Sequence, residues 1–173
     1  MTSPELHGPR IILRAIEAAD RERLREILVE PDVARWFGMG GPDASVAELY
    51  GHQPGSSFVI EADGATIGWI GYAEELDPDY RHAGIDLFLA TSYQGRGLGP
   101  EALQLVAGHV VRDRGHHRLT IDPAAANERA IAAYRKVGFQ PVGVLRRYER
   151  GPDGTWHDGL LMDLLAEELP EAR

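Results

Sequence analysis

The sequence contains no cysteine, which excludes disulfides, thiolate metal sites and a cysteine nucleophile. Lysine is nearly absent: among the 18 basic residues only Lys136 is not an arginine. No apolar run is long enough to span a bilayer, and Met1 to Pro9 lacks the charged-then-apolar order of a signal peptide. A cytoplasmic location is therefore expected. No Gly-Lys-Ser/Thr tripeptide occurs, which removes a Walker-type phosphate loop. Positive charge is in deficit, with a net charge of −9 and a pI near 5.2. That balance argues against a nucleic-acid surface and for neutral or cationic partners. His116, His117 and His157 have no metal-ligand partner at helical spacing, so no metal is expected. Repeats, low-complexity segments and interdomain linkers are also missing, so residues 1–173 read as one domain.

What the chain does have is Gln94-Gly95-Arg96-Gly97-Leu98-Gly99. Before this stretch, Ala83 to Ala90 is rich in Ile, Leu and Phe and bounded by glycine, which predicts a buried strand. After it, Ala102/Leu103, Val106/Ala107 and Val110/Val111 recur at helical spacing, so a helix should begin near Gly97 or Leu98. Pro100 suits a first helical turn, where its missing N–H costs nothing. A strand, a glycine-rich turn and a helix N-terminus together make an anion site. The dinucleotide fingerprint G-x-G-x-x-G does not fit, because the glycines fall at 95, 97 and 99.

In chain order, Arg10 to Arg14 reads as a strand and Ala18 to Val29 as a helix ended by Pro31-Asp32. A short helical piece is expected over Val33 to Phe37, a loop over Gly38 to Pro42, and another helix over Ala44 to Tyr50. Ser57–Glu61 and Thr66–Tyr72 flank Asp63-Gly64, a hairpin signal. Glu74 to Asp79 reads as an acidic loop. Arg118 to Asp122 is the next strand, and Asn127 to Val137 a helix stopped by Gly138. Val142–Arg150 and Thr155–Leu165 close the chain as strands joined by a turn at Gly151–Gly154. This order predicts one mixed α/β sheet covered by helices.

Gln94-x-x-Gly97-x-Gly99 resembles the first signature of the GCN5-related N-acetyltransferases, which hold the acetyl-coenzyme A pyrophosphate on such a turn. Asn127-x-x-Ala130-x-x-x-Tyr134, followed by Gly138-Phe139, resembles the second. The likeness covers the chain loosely and Ile67 to Asp163 well. It implies a mostly antiparallel central sheet with one splayed parallel strand pair, flanked by helices. It also implies acetyl-CoA as co-substrate, held by Gln94, Gly95, Arg96, Gly97, Leu98 and Gly99 and by Asn127. Backbone N–H groups of Leu87, Phe88 and Leu89 would polarise the thioester, and Tyr134 would protonate the leaving thiolate.

Asp86 interrupts an apolar strand, which is costly unless the carboxylate is paired or faces a cleft. Asp122 ends the next strand. If both face one cleft they would bind a cationic amine and support its deprotonation, with Glu74, Glu75 and Asp79 widening the acidic mouth and His82 a further candidate base. Trp36, Phe37 and Tyr50 are candidate acceptor walls. The local strings are most similar to aminoglycoside 6′-N-acetyltransferases, implying direct acetyl transfer to a small cationic amine by a monomer or homodimer. The alternatives are an N-terminal acetyltransferase of the ribosomal-protein type, a siderophore-precursor acetyltransferase, or a non-catalytic acyl-CoA-binding module.

Overall fold

A computed structural model describes residues 3–37 and 40–171. A single eight-stranded sheet runs through it. Its strands are β1 (Leu6–His7), β2 (Ile12–Ala15), β3 (Ser57–Ala62), β4 (Ala65–Glu75), β5 (His82–Leu89), β6 (Arg118–Ile121), β7 (Gln140–Arg150) and β8 (Trp156–Leu165). Spatial order is β1-β2-β3-β4-β5-β6-β8-β7, and every neighbouring pair is antiparallel except β5 and β6. The expected mixed sheet with one parallel pair is present. Two-residue β1 was not expected, and neither was the insertion of β8 between β6 and β7.

The helices are α1 (Arg21–Leu28), α2 (Pro31–Ala34), α3 (Gly41–Tyr50), α4 (Leu98–Arg112) and α5 (Glu128–Val137). Pro31 ends the first predicted helix but also opens α2 at a position that needs no N–H. Gly41 and Pro42, expected in a loop, form the first turn of α3; the expected loop residues Gly38 and Met39 lie outside the described residues. The Asp63-Gly64 hairpin is confirmed, with φ of 51° and 76°, the two positive values that a tight two-residue turn requires.

Two apolar cores sandwich the sheet. Ala102, Leu103, Val106 and Val110 of α4 pack with Leu13, Phe58, Ile60 and Ile85 on one face. Leu24, Ile27 and Leu28 of α1, with Val46 and Leu49 of α3, cover Val59, Trp69 and Phe88 on the other. Alternation along β5 follows from this. Ile85 and Leu89 turn toward α4, whereas Phe88, and Asp86 two residues before it, turn toward α1–α3.

β5 and β6 pair only at Ala83↔Leu119 and Gly84↔Thr120. Beyond Gly84 the strands part, leaving the remaining length of β5 without a ladder on that side. Asp86 and Asp122 lie past the parting, on its two sides. The fold thus opens a gap in the middle of its own sheet.

Candidate active site

The gap continues into a cavity of about 570 Å³. Gln94, Gly95, Gly97 and Gly99 border one part of it, and Leu87, Phe88, Leu89, Asn127 and Tyr134 line its length. Asp86, Asp122 and Trp36 line it as well. Glu48 of α3, Glu149 of β7, Asp32 and the cations Arg35, Arg129 and Lys136 also line it, and the sequence pattern pointed to none of them.

The glycine turn has the conformation its composition predicts. Gly95 and Gly97 have φ of 76° and 79°, a region that L side chains avoid. Gly97 is the N-cap of α4, so the first-turn N–H groups of the helix open beside it. Arg10 braces the turn from outside. Its Nη1 donates to the Arg96 carbonyl at 2.7 Å, and its Nε donates to Glu101 Oε2 at 2.8 Å. Gln94 is folded inward, its Nε2 donating to the Leu89 carbonyl at 2.9 Å, while Arg129 Nη1 donates to Gln94 Oε1 at 3.2 Å. Arg96 and Leu98, expected to touch a cofactor, do not line the cavity. The Arg96 guanidinium lies over the Tyr93 ring, and the Leu98 side chain is buried in the α4 core.

Along β5, hydrogen bonds to β4 alternate. The Ala90 N–H donates to the Ile67 carbonyl, so the Phe88 N–H, two residues earlier, belongs to the same ladder. This removes Phe88 from the expected thioester-polarising groups, while Leu87 and Leu89 turn their N–H groups into the gap. The Leu87 N–H donates to Asp86 Oδ1 at 2.9 Å.

Asp86 opens onto the cavity, yet protein surrounds the carboxyl elsewhere. The resulting desolvation raises its pKa to about 7, opposed by the Leu87 N–H and reinforced by Asp122, Glu149 and Glu48. Glu149 is also raised, by burial and by Asp122. Tyr134 is held well above the ordinary phenol value, first by burial and then by Asp86 and Asp122, so it stays protonated. Its O–H makes no hydrogen bond among the described residues and lines the cavity.

Asn127 caps α5: its Oδ1 accepts from the Ala130 N–H at 3.2 Å. That bond leaves its Nδ2 free to donate toward the cavity. Glu74, expected at the acidic mouth, is elsewhere. Arg114 Nη2 donates to it at 2.9 Å and the buried His116 Nε2 lies 2.8 Å away, and this pairing with Arg114 holds its carboxyl below the usual range. Glu75 and Asp79 are taken up by local turns, Glu75 accepting from the Asp77 N–H and Asp79 donating its own N–H to Asp77. The His82 Nδ1 lies 2.7 Å from the Tyr80 carbonyl, outside the cavity. Phe37 packs edge-on against Phe88 beside Trp36, but Tyr50 donates to the Glu17 carbonyl and faces away from the site. Among the described residues no group of three His, Asp or Glu is arranged to hold a metal ion, and no helix is long and apolar enough to cross a membrane.

A splayed parallel pair, a glycine turn at a helix N-terminus and a phenol in the gap define an acyltransferase architecture, and comparison with known proteins agrees. Residues 10–140 match the family model described as Acetyltransferase (GNAT) domain, and the chain belongs to that family. The solved structure of RimJ from Mycobacterium smegmatis, in complex with CoA-disulfide, superposes with a TM-score of 0.82 at 26% identity, covering 98% of this chain and 89% of that one. Spermidine N(1)-acetyltransferase of Escherichia coli (strain K12) is 28% identical over 148 residues, 82% of this chain and 78% of the relative. Aminoglycoside N(6′)-acetyltransferase type 1 of Klebsiella pneumoniae is 34% identical over 110 residues, 63% of this chain. The matched region spans about half (51%) of that relative's length.

Proposed function

We propose that the chain is an acetyl-CoA-dependent N-acetyltransferase that acetylates a primary amine of a small polycation, with an aminoglycoside 6′-amine as the first acceptor class and a polyamine sharing the same chemistry. The observation that carries this reading is the cluster of Asp122, Glu149 and Glu48 around Asp86, four of the five carboxylates that line the cavity. Carboxylates in a partly desolvated cleft recognise ammonium groups through charge-assisted hydrogen bonds. The names of the aminoglycoside and spermidine relatives point to the same acceptor chemistry.

The residues fit the co-substrate. A side chain at Gly97 would take a disfavoured φ and bring its Cβ to 3.2 Å from Arg10 Nη2, so glycine keeps the turn in the conformation that presents its N–H groups. Its N–H groups and those of Gly95 and Gly99 would take pyrophosphate oxygens, with the Arg129 guanidinium nearby. When bound, acetyl-CoA supplies the activated thioester. Asp86 would take the proton that the attacking amine sheds, a role suited to a pKa of about 7. The Leu89 N–H would stabilise charge on the carbonyl oxygen, with the Leu87 N–H shared between that oxygen and Asp86 Oδ1. Tyr134, held protonated, would give its proton to the departing thiolate. Asp122, Glu149 and Glu48 would hold the acceptor's other ammonium groups, and Trp36 would wall that end.

A thiol-release assay over kanamycin, spermidine, N-terminal peptides and hydroxylamine siderophore precursors tests the proposal. Turnover of the polycations with little on the peptides is expected. Preference for peptides or for siderophore precursors would overturn the acceptor assignment, and silence across the panel would favour a binding module.

A further inference from the structure

The register of the β7–β8 hairpin shifts twice, between Pro141 and Gly143 and, more widely, between Leu145 and Glu149. Pairing is regular from Gly143↔Leu161 to Leu145↔Gly159 and resumes at Glu149↔His157, so four steps along β7 match two along β8. Such bulges bend a strand and re-aim its side chains, and they concentrate beside functional sites. At the bulge Arg147 has φ of 46°, a left-handed conformation that disfavours a side chain. Its N–H donates to Asp158 Oδ1 at 2.8 Å, which pins the bend.

The bend lays the Tyr148 ring over Gly159. A Cβ there would sit 2.9 Å from Tyr148 Cδ1, so the seat exists only because residue 159 is glycine. From that seat the Tyr148 O–H donates to Asp122 Oδ2 at 2.5 Å. Asp122 Oδ1 has no hydrogen bond among the described residues, and Asp122 lines the cavity while Tyr148 does not. A strained backbone residue, a pinned bend and a glycine seat thus converge on placing one hydroxyl against one carboxylate. Strain of this kind persists only where surrounding structure over-determines it.

We propose that Tyr148 is a positioning residue of the acceptor site, holding the Asp122 carboxylate so that its free oxygen meets a non-reacting ammonium of the polycation. This inference rests on the acceptor reading of Asp122 given above. A lone carboxylate at a strand end turns freely about its side-chain bonds; the phenol selects one orientation and leaves one oxygen for ligand. Because β7 supplies the phenol, the same strand that carries Glu149 into the cavity also aims Asp122.

The test uses the whole chain, with spermidine affinity measured by calorimetry and KM and kcat by thiol release. Tyr148→Phe removes only the hydroxyl; spermidine Kd and KM should rise about tenfold, the scale of one charge-assisted hydrogen bond, with kcat changed by less than about twofold. In an Asp122→Ala background the same substitution should add nothing, because its effect passes through Asp122. Gly159→Val, folded by circular dichroism, should reproduce the rise by displacing the ring. If Asp122→Ala weakens spermidine and Tyr148→Phe does not, the positioning role is overturned and the acceptor reading stands. Equal effects of Tyr148→Phe with and without Asp122 would also overturn it. If Asp122→Ala leaves spermidine binding and KM unchanged, or the parent binds no spermidine, the acceptor reading falls and the positioning role with it.

Discussion

At the scale of single residues, Asp86 and Tyr134 form a pair whose surroundings push both toward the protonated state, one to a useful degree and the other far beyond it. A base must be ionised to accept a proton, so kcat should climb with pH through about 7 and level off above it. Asp86→Asn should lower kcat about a hundredfold and remove that limb, as read from a pH–rate profile. The same carboxyl makes a stability prediction. Its folded pKa of about 7 lies above the unfolded value of 3.8, so between those values the folded chain binds more protons there than the unfolded chain. Its contribution to stability is therefore complete below pH 3.8 and lost as pH rises through 7. Asp86→Asn should raise Tm at pH 8 and leave it nearly unchanged at pH 3.5; equal shifts at both would show that the carboxyl is not destabilised by ionising. Tyr134→Phe should cost kcat about a hundredfold or more while acetyl-CoA affinity changes little, since only the departing thiolate needs the proton. A variant with parental single-turnover rates would remove Tyr134 from catalysis.

At the scale of elements, the turn into α4 depends on neighbours as well as on its own glycines. Gly97→Val forces a β-branched residue into the left-handed region, a cost of roughly 1–2 kcal/mol, and aims it at Arg10. Coenzyme A affinity by calorimetry should fall about tenfold or more with the fold intact, and unchanged affinity would exclude the turn as the pyrophosphate cradle. Arg10→Ala should loosen the same turn by removing its bonds to the Arg96 and Gly97 carbonyls. These elements were legible in sequence because their determinants are local. Pro100 falls within the first turn of α4, Gly138 ends α5 with φ of 118°, and Asp63-Gly64 makes its hairpin from two adjacent residues. Glu74 was misplaced because the acidic run around it is a property of sequence, whereas its partners Arg114 and His116 arrive from the connector between α4 and β6.

At the scale of the whole molecule, a net charge of −9 surrounds a cleft that Glu48, Asp86, Asp122 and Glu149 make acidic at one end. A polycation should be drawn in from a distance, so kcat/KM for spermidine should fall steeply between 10 and 300 mM salt, where the screening length contracts from about 30 Å to below 8 Å. A neutral amine substrate should show little change, and equal salt dependence for both would rule out steering.

The sequence alone determined the mixed sheet, the glycine cradle, the helix that follows it, and the candidacy of Asp86, Asp122 and Tyr134. Each depends on side-chain period, on turn residues or on a short motif, all read within a few residues of chain. Tertiary structure fixed where the expected parting of β5 and β6 begins, after Gly84, and alone decided that β8 enters between β6 and β7 and that a bulge at Arg147 carries Glu149 to a cleft begun by Asp86 and sets Tyr148 against Asp122. Glu48 reaches that cleft only because α3 packs on the Phe88 face of the sheet. These placements are set by contacts between residues tens of positions apart, where no local periodicity carries a signal and the packing of the completed sheet chooses which side chains meet.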